Sequence, residues 1–315
     1  MSTGPATTPC PNCGEAQTGR YCPTCGQRQG QRVLSVRRIL LDALDDQFSL
    51  NSALPRTLGK LIARPGYLTN EYLNGRIAHY VPPFRLYLAT SILFFLALSL
   101  LAALRPASIV NIDYDDTTEE AVKRPVRVEA VHDAWFGIRY DTAGDTTIVR
   151  VNFGNDYITR RVLPRVERLA RMGAAELSAS LSAGLVERAP AGMFVLLPVF
   201  SALLYLLYTR SGRYYIEHFI FSLHTHAFTF LCFTVAAPMS ESRLKARLGP
   251  TTIEAAPAVV LIMLWLLVYY FLAMRRVYLQ GVIRTAAKYI VLATSYIALL
   301  IVVVLGIAVV SLILG

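Results

Sequence analysis

The sequence predicts an α-helical membrane protein with about five transmembrane helices and a small cysteine-rich head at its N-terminus. Three observations lead to this fold class. The composition is 54% hydrophobic and only 17% charged, which is too apolar for an ordinary soluble domain. The apolar residues fall into runs of the length that a hydrocarbon core of about 30 Å requires. Four of the five cysteines lie close together within the first 25 residues.

Five apolar runs are candidate transmembrane helices: residues 86–104, 192–208, 216–238, 257–274 and 289–314. The second run is short and contains Pro198, which removes a backbone donor and is expected to kink the helix.

The distribution of Lys and Arg predicts the orientation of these spans. If the N-terminus is cytoplasmic, the whole formal net charge of +10 lies on the cytoplasmic segments. Basic residues then flank the cytoplasmic ends of the spans, as the positive-inside rule requires: Arg76, Arg85, Arg275, Arg276, Arg284 and Lys288. We expect a multi-pass protein of the bacterial cytoplasmic (inner) membrane with its C-terminus outside. Because no apolar signal segment precedes the first span, that span is expected to direct insertion.

This topology, together with attraction to anionic lipids, accounts for the positive net charge of the chain. The charge is therefore poor evidence for a nucleic-acid partner. The chain divides into a head at residues 1–32, cytoplasmic juxtamembrane helices at 33–85, a first span at 86–104, an extracytoplasmic insert at 105–189 and a helical bundle at 190–315.

The cysteines of the head form two Cys-x-x-Cys-Gly knuckles, Cys10 with Cys13 and Cys22 with Cys25, separated by eight residues. Each knuckle aims two thiolates at one metal ion, and its glycine accepts the tight turn around the sulfurs. Two knuckles complete a closed tetrahedral S₄ site, so we expect a zinc ribbon with a structural zinc ion. Disulfides are disfavoured in a reducing cytoplasm, and an iron site is less typical of this short gap.

Two short helices are predicted before the first span, near residues 54–63 and 67–73, because Arg64-Pro65-Gly66 and Asn74-Gly75 end them. An amphipathic helix is also predicted over residues 33–48, where apolar side chains recur every three or four positions.

These motifs carry a resemblance to a known family. The double knuckle, the run from Arg64 to Arg76, the run Pro83-Phe84-Arg85-Leu86-Tyr87, and later Glu217-His218-Phe219 and Ser222-Leu223-His224 resemble uncharacterised bacterial membrane proteins that carry a domain of unknown function behind an N-terminal zinc ribbon. The resemblance extends over nearly the whole chain apart from the insert. It implies the same topology and brings no known reaction.

The insert is predicted to be a small α+β or partly disordered segment. Residues 134–140 and 146–153 are strand candidates joined by a turn containing Gly144, which indicates a hairpin. An apolar stripe from Val166 to Leu181 predicts a separate amphipathic helix that lies toward the membrane.

The third apolar run contains ionisable residues: Glu217, His218, His224 and His226. Such groups are costly at membrane depth, so they mark a functional cluster or side chains paired with neighbouring helices. Helical geometry places Glu217 and His224 on one face but about 10 Å apart along the axis, too far to bind one ion directly. His226 points to the side opposite His224.

Several interpretations of this cluster are open. The spacing of these residues disfavours a metalloenzyme. A proton-coupled carrier is also disfavoured, because it requires titratable groups through the full depth of the membrane and these four residues lie only in the cytoplasmic half. A haem iron needs only one or two axial histidines and fits the residue types. The structural interpretation is that neutral histidines hydrogen-bond to neighbouring helices while Glu217 lies at the interface near Arg213.

No residue pattern indicates a catalytic centre. The sequence therefore predicts a non-enzymatic scaffold, adaptor or sensor whose ribbon engages a cytosolic or membrane protein partner, with homo-oligomerisation compatible with this role. The alternative is a membrane-embedded transport or haem-type redox protein centred on the four ionisable residues of the third run.

Overall fold

The structure is a computed structural model that describes residues 8–17, 19–28, 53–104, 126–130, 137–143, 146–152, 157, 163–165, 167–168, 172, 174–239 and 255–314. The amphipathic helix predicted at residues 33–48 lies outside this part of the chain. The helices of the described residues are α1 (Ala53–Ala63), α2 (Tyr67–Leu73), α3 (Pro83–Leu104), α4 (Ala174–Leu207), α5 (Tyr215–Met239), α6 (Ala255–Tyr278) and α7 (Val282–Leu314).

Helices α3 to α7 are each long and apolar enough to cross a membrane. Their positions match the five apolar runs of the sequence, so the predicted fold class is confirmed: the chain is an α-helical, multi-pass membrane protein. Chain contacts divide it into two compact units, one formed by Met1–Leu101 with Met193–Leu299 and the other by Ala102–Gly192 with Leu300–Gly315.

Helix α4 is longer than the predicted span at residues 192–208. It begins at Ala174 and continues without a break through Pro190 and Pro198. Residues 174–181, the last part of the stripe that predicted an amphipathic helix, are its first turns, whereas Val166, Leu169 and Gly173 of that stripe lie outside the described residues. The hydropathy pattern stops at the charged pair Glu187 and Arg188, but both residues are good helix formers, so the helix extends beyond the apolar run.

Helix α5 is the central element of the first unit. Its membrane-length window is 67% buried, against 28% or less for the other four helices, so its neighbours surround it. A buried cluster around it is supplied by every other membrane-length helix: Leu86 of α3, Phe200 and Leu204 of α4, Tyr269 and Ala273 of α6, and Leu292 of α7.

The short helices α1 and α2 pack against α5 and α6. Leu61 of α1 and Leu68 of α2 are buried in one cluster with Phe228, which lies 13 residues after the start of α5 and hence about 20 Å along its axis. Gly66 joins α1 to α2 with φ of 71°, and a Cβ there would lie 2.9 Å from the backbone oxygen of Ala273. Glycine is required by both the backbone conformation and this close approach.

The head, in the first unit, contains two short strands, β1 (Thr8–Pro9) and β2 (Ala16–Gln17). The second unit contains a three-stranded sheet of β3 (Val126–Ala130), β4 (Gly137–Ala143) and β5 (Thr146–Asn152). Strands β4 and β5 are antiparallel, which confirms the predicted hairpin. Strand β3 pairs parallel with β5 on its other side. The sequence analysis missed β3 because a parallel partner needs no tight turn and leaves no local signal.

Candidate metal centre and the buried polar residues of α5

The two cysteine knuckles have the same backbone geometry. In the first, the Cys10 N–H donates to the Glu15 carbonyl at 2.8 Å and the Gly14 N–H donates to the Cys10 carbonyl at 2.8 Å. In the second, the Cys22 and Gly26 N–H groups repeat these bonds at 2.8 and 2.9 Å. Gly14 and Gly26 have φ of 81° and 72°, the left-handed conformation that glycine adopts without strain.

The knuckles bring the four cysteine sulfurs together. All four lie within 4.8 Å of one another, with Cys10 Sγ 3.6 Å from Cys25 Sγ and Cys13 Sγ 3.5 Å from Cys22 Sγ. A tetrahedral zinc ion with Zn–S bonds of about 2.3 Å separates its sulfurs by about 3.8 Å, so the arrangement fits a closed S₄ site. The thiols are not disulfide-bonded, since such a bond requires about 2.05 Å.

The backbone of the second knuckle favours the thiolate form of Cys22. Hydrogen bonds from the backbone of Cys25 and then of Thr24 lower the pKa of the Cys22 thiol to about 6. The pKa of the neighbouring Cys13 thiol is raised, because the lowering effect of the Glu15 backbone is outweighed by desolvation and by its hydrogen bonds with the other three sulfurs. A metal ion must therefore displace protons from the site when it binds the thiolates.

The head is anchored to the segment that leads into α3 through one buried side chain, Gln27, which is 4% exposed. Its Nε2 donates to the carbonyl of Gly75 at 2.7 Å, and its Oε1 accepts from the N–H groups of Ile77 and Ala78 at 3.3 and 3.4 Å. The backbone carbonyl of Gln27 closes the second knuckle by accepting from Cys22. One residue therefore belongs to both the cysteine site and the docking contact.

Sequence reasoning did not single out Gln27. A polar residue directly after a knuckle is unremarkable by type, and its partners lie some fifty positions away. The only local signal is its place one residue after the knuckle glycine, where the backbone conformation is already fixed.

The ionisable residues of α5 contact different neighbours. Glu217 forms an ion pair with Arg213 at 3.0 Å, as the structural interpretation expects. His218 Nδ1 lies 2.7 Å from the hydroxyl of Tyr278 on α6, and His224 Nδ1 lies 3.1 Å from the hydroxyl of Thr69 on α2.

His226 contacts a third neighbour. Its Nε2 lies 3.0 Å from the hydroxyl of Tyr296 on α7, and its Nδ1 lies 2.8 Å from the carbonyl of Ser222. His224 and His226 thus reach opposite sides of α5, as helical geometry predicted. Both nitrogens of His226 are engaged in hydrogen bonds, and nothing in the described residues supports a haem ligand set.

The cysteine site is the one group of three or more potential metal ligands found among the described residues. Hydroxyl pairs extend the polar contacts of α5: Ser222 with Ser201 of α4 at 2.8 Å and Thr229 with Tyr270 of α6 at 3.0 Å. These bonds tie the central helix to its neighbours, which suits packing between apolar helices. A functional role for Glu217 and the three histidines stays a prediction.

Comparison with known proteins gives a match to a protein family. Residues 52–95 match the model of a family described as protein of unknown function (DUF3667), which confirms over this range the resemblance drawn from the sequence. The matched segment comprises α1, α2 and the first half of α3, including the Gly66 approach and the turn that Gln27 contacts. No curated protein and no solved structure matches the chain.

Proposed function

We propose that this protein is a non-enzymatic adaptor or sensor of the bacterial inner membrane, in which a structural zinc ribbon presents a surface to a cytosolic or membrane protein partner. The main support for the proposal is that Gln27 takes part in two contacts: its backbone carbonyl closes the second knuckle, and its side chain bonds the segment before α3. A closed S₄ site offers no open coordination position for a substrate, so its zinc serves folding. Because the same knuckle docks on the turn before α3, a partner held by the ribbon is held at the membrane.

The ribbon offers a surface of suitable chemistry for such a partner. Tyr21 is 58% exposed and pairs by a backbone bridge with Arg28, and Arg20 lies beside it in the sequence. An exposed aromatic residue together with arginines is a common composition of protein-binding surfaces.

The proposed orientation places the ribbon in the cytoplasm and the C-terminus outside. It is supported by Arg275, Arg276, Arg284 and Lys288, which cluster where α6 ends and α7 begins. The same end of the first unit meets the segment before α3, because Arg276 donates to the Pro65 carbonyl at 2.7 Å. A reducing compartment also keeps the four thiols available for zinc.

Crosslinking in cells followed by affinity purification tests the adaptor role. We compare the full-length protein with a Cys10→Ser, Cys13→Ser double variant and with Cys232→Ser, which removes the cysteine of α5 outside the site. The proposal expects a set of crosslinked proteins that is lost in the double variant and kept in the control. If all three proteins, at matched abundance, yield the same set, the ribbon does not recruit the partners.

A further inference from the structure

One end of the first unit collects buried polar atoms that have no hydrogen-bond partner. The Tyr208 hydroxyl, His218 Nε2 and Gln280 Oε1 are all buried and unpaired in the described part of the chain. Tyr208 follows α4, His218 is in the first turn of α5, and Gln280 lies between α6 and α7. An unpaired buried polar group is costly, and two of these three atoms, the Tyr208 hydroxyl and His218 Nε2, can donate a hydrogen bond, which indicates a ligand that accepts.

Aromatic rings hold two of these groups in place. The ring of Tyr208 stacks on that of Tyr278, with centroids 3.8 Å apart and planes 15° apart. The His218 ring is nearly parallel to the Tyr278 ring, at 18°, and its Nδ1 bonds the Tyr278 hydroxyl. Tyr208 and His218 are 1% and 0% exposed, so neither group reaches bulk water. We call Tyr208, His218 and Tyr278 the ring cluster.

Two cationic side chains lie against the ring cluster. The Lys288 ammonium lies 3.8 Å from the centroid of the Tyr208 ring, and the Arg213 guanidinium lies 5.6 Å from that of Tyr278. Arg213 is already bonded to Glu217 and to the Val277 carbonyl. Lys288 forms no ion pair with a carboxylate among the residues that the structure describes, so its charge is available to a ligand.

The ring cluster lies at the ends of α4 and α5, and this position in the membrane indicates which class of ligand it meets. Tyr208 is one residue beyond the end of α4, and His218 lies three residues into α5, about 5 Å along its axis. This level is where helix ends meet the head groups of a bilayer. Anionic groups at that level attract Lys and Arg, and the most abundant of them are phosphates.

We propose that the ring cluster binds a phosphate group, held by the Tyr208 hydroxyl, the Nε2–H of His218 and the ammonium of Lys288. In this site the Tyr278 hydroxyl is the donor of its 2.7 Å bond with His218 Nδ1, because that tautomer places the imidazole proton on Nε2 and turns that nitrogen into a donor toward the ligand. The half-buried Lys288 side chain covers Tyr208 and moves from its ring to the ligand. The phosphate belongs either to an anionic lipid head group or to a free phosphate ion.

Thermal unfolding of the full-length protein in a neutral detergent tests this site. The probes are dioctanoyl phosphatidylglycerol, dioctanoyl phosphatidylcholine and inorganic phosphate. A ligand that binds only the folded state raises Tm with its concentration. We expect the anionic lipid to raise Tm at concentrations where the zwitterionic lipid does not. A matching response to inorganic phosphate identifies a free ion as sufficient, and no response to it identifies the lipid as the source.

Two variants tie the response to the ring cluster. Tyr208→Phe keeps the stacked ring and removes only an unpaired hydroxyl, so the unliganded Tm is expected not to fall. This variant and Lys288→Met are each expected to weaken the anion response by about tenfold in concentration, which corresponds to one charge-assisted hydrogen bond. Arg210→Met removes an exposed charge from the same loop and serves as the control.

Loss of the response in Tyr208→Phe and Lys288→Met, with Arg210→Met unchanged, supports the site. Equal Tm shifts from both lipids, no shift from either anionic probe, or an unchanged response in both ring-cluster variants would overturn it.

Discussion

Replacement of Gln27 by Ala tests how the ribbon is held to the membrane-spanning part of the protein. The substitution removes one short hydrogen bond to Gly75 and two longer ones from Ile77 and Ala78 that share one oxygen. Counting the short bond as about 1 kcal/mol and the shared pair as about 1 kcal/mol gives about 2 kcal/mol of docking free energy. That loss shifts the equilibrium between docked and undocked ribbon by about thirtyfold.

Amide hydrogen exchange of the full-length, metal-loaded protein measures this shift directly. The N–H groups of Ile77 and Ala78 donate to the Gln27 side chain, so their exchange should accelerate by about ten- to thirtyfold in Gln27→Ala. The metal content should not change, because the knuckle uses the backbone of Gln27 and not its side chain. Asn12→Ala removes only an exposed 3.5 Å contact with His79 and should leave exchange unchanged. Unaltered exchange at both amides in Gln27→Ala would refute the docking account.

Three further predictions concern packing and metal binding. Gly66→Ala should lower the free energy of unfolding by about 2–3 kcal/mol, because φ of 71° and the Ala273 oxygen both oppose a Cβ. Gly59→Ala, with open space around it, should raise the free energy of unfolding by about 0.5–1 kcal/mol. Thermal unfolding in detergent compares the two variants, and equal Tm values would contradict the close approach. Thr69→Val should cost about 1–3 kcal/mol by leaving the buried His224 without its partner on α2, measured the same way; an unchanged Tm would show that the bond is dispensable. Removal of the metal by a strong chelator should unfold the ribbon, because its metal-binding free energy is on the order of 10–16 kcal/mol. The helical signal in circular dichroism should be mostly retained. Loss of the helical signal together with the ribbon would show that the bundle also depends on the metal.

Local patterns were sufficient to predict much of this architecture. The knuckle spacing fixed four ligands because each pair lies within one turn, where sequence separation and spatial distance nearly coincide. The bounds of α1 and α2 followed from the turn residues around Gly66 and after Leu73. The five membrane-length helices followed from hydropathy, because the requirement for an apolar surface acts on every turn of a span.

Contacts between distant segments could not be predicted in the same way. The sequence indicated that α1 and α2 precede the first span, but their packing depends on shape complementarity with distant helices, at Leu61 toward α5 and at Gly66 toward α6. The histidine partners Thr69, Tyr278 and Tyr296 come from three different helices, and no spacing rule selects them. Gln27 was missed for the same reason.

X-ray absorption at the zinc edge of the purified full-length protein tests whether the four cysteines form a structural zinc centre. We predict one zinc ion per chain with four sulfur ligands at about 2.3 Å and no nitrogen or oxygen ligand. A zinc ion with a nitrogen or oxygen ligand, or a metal-free protein with paired disulfides, would contradict the account.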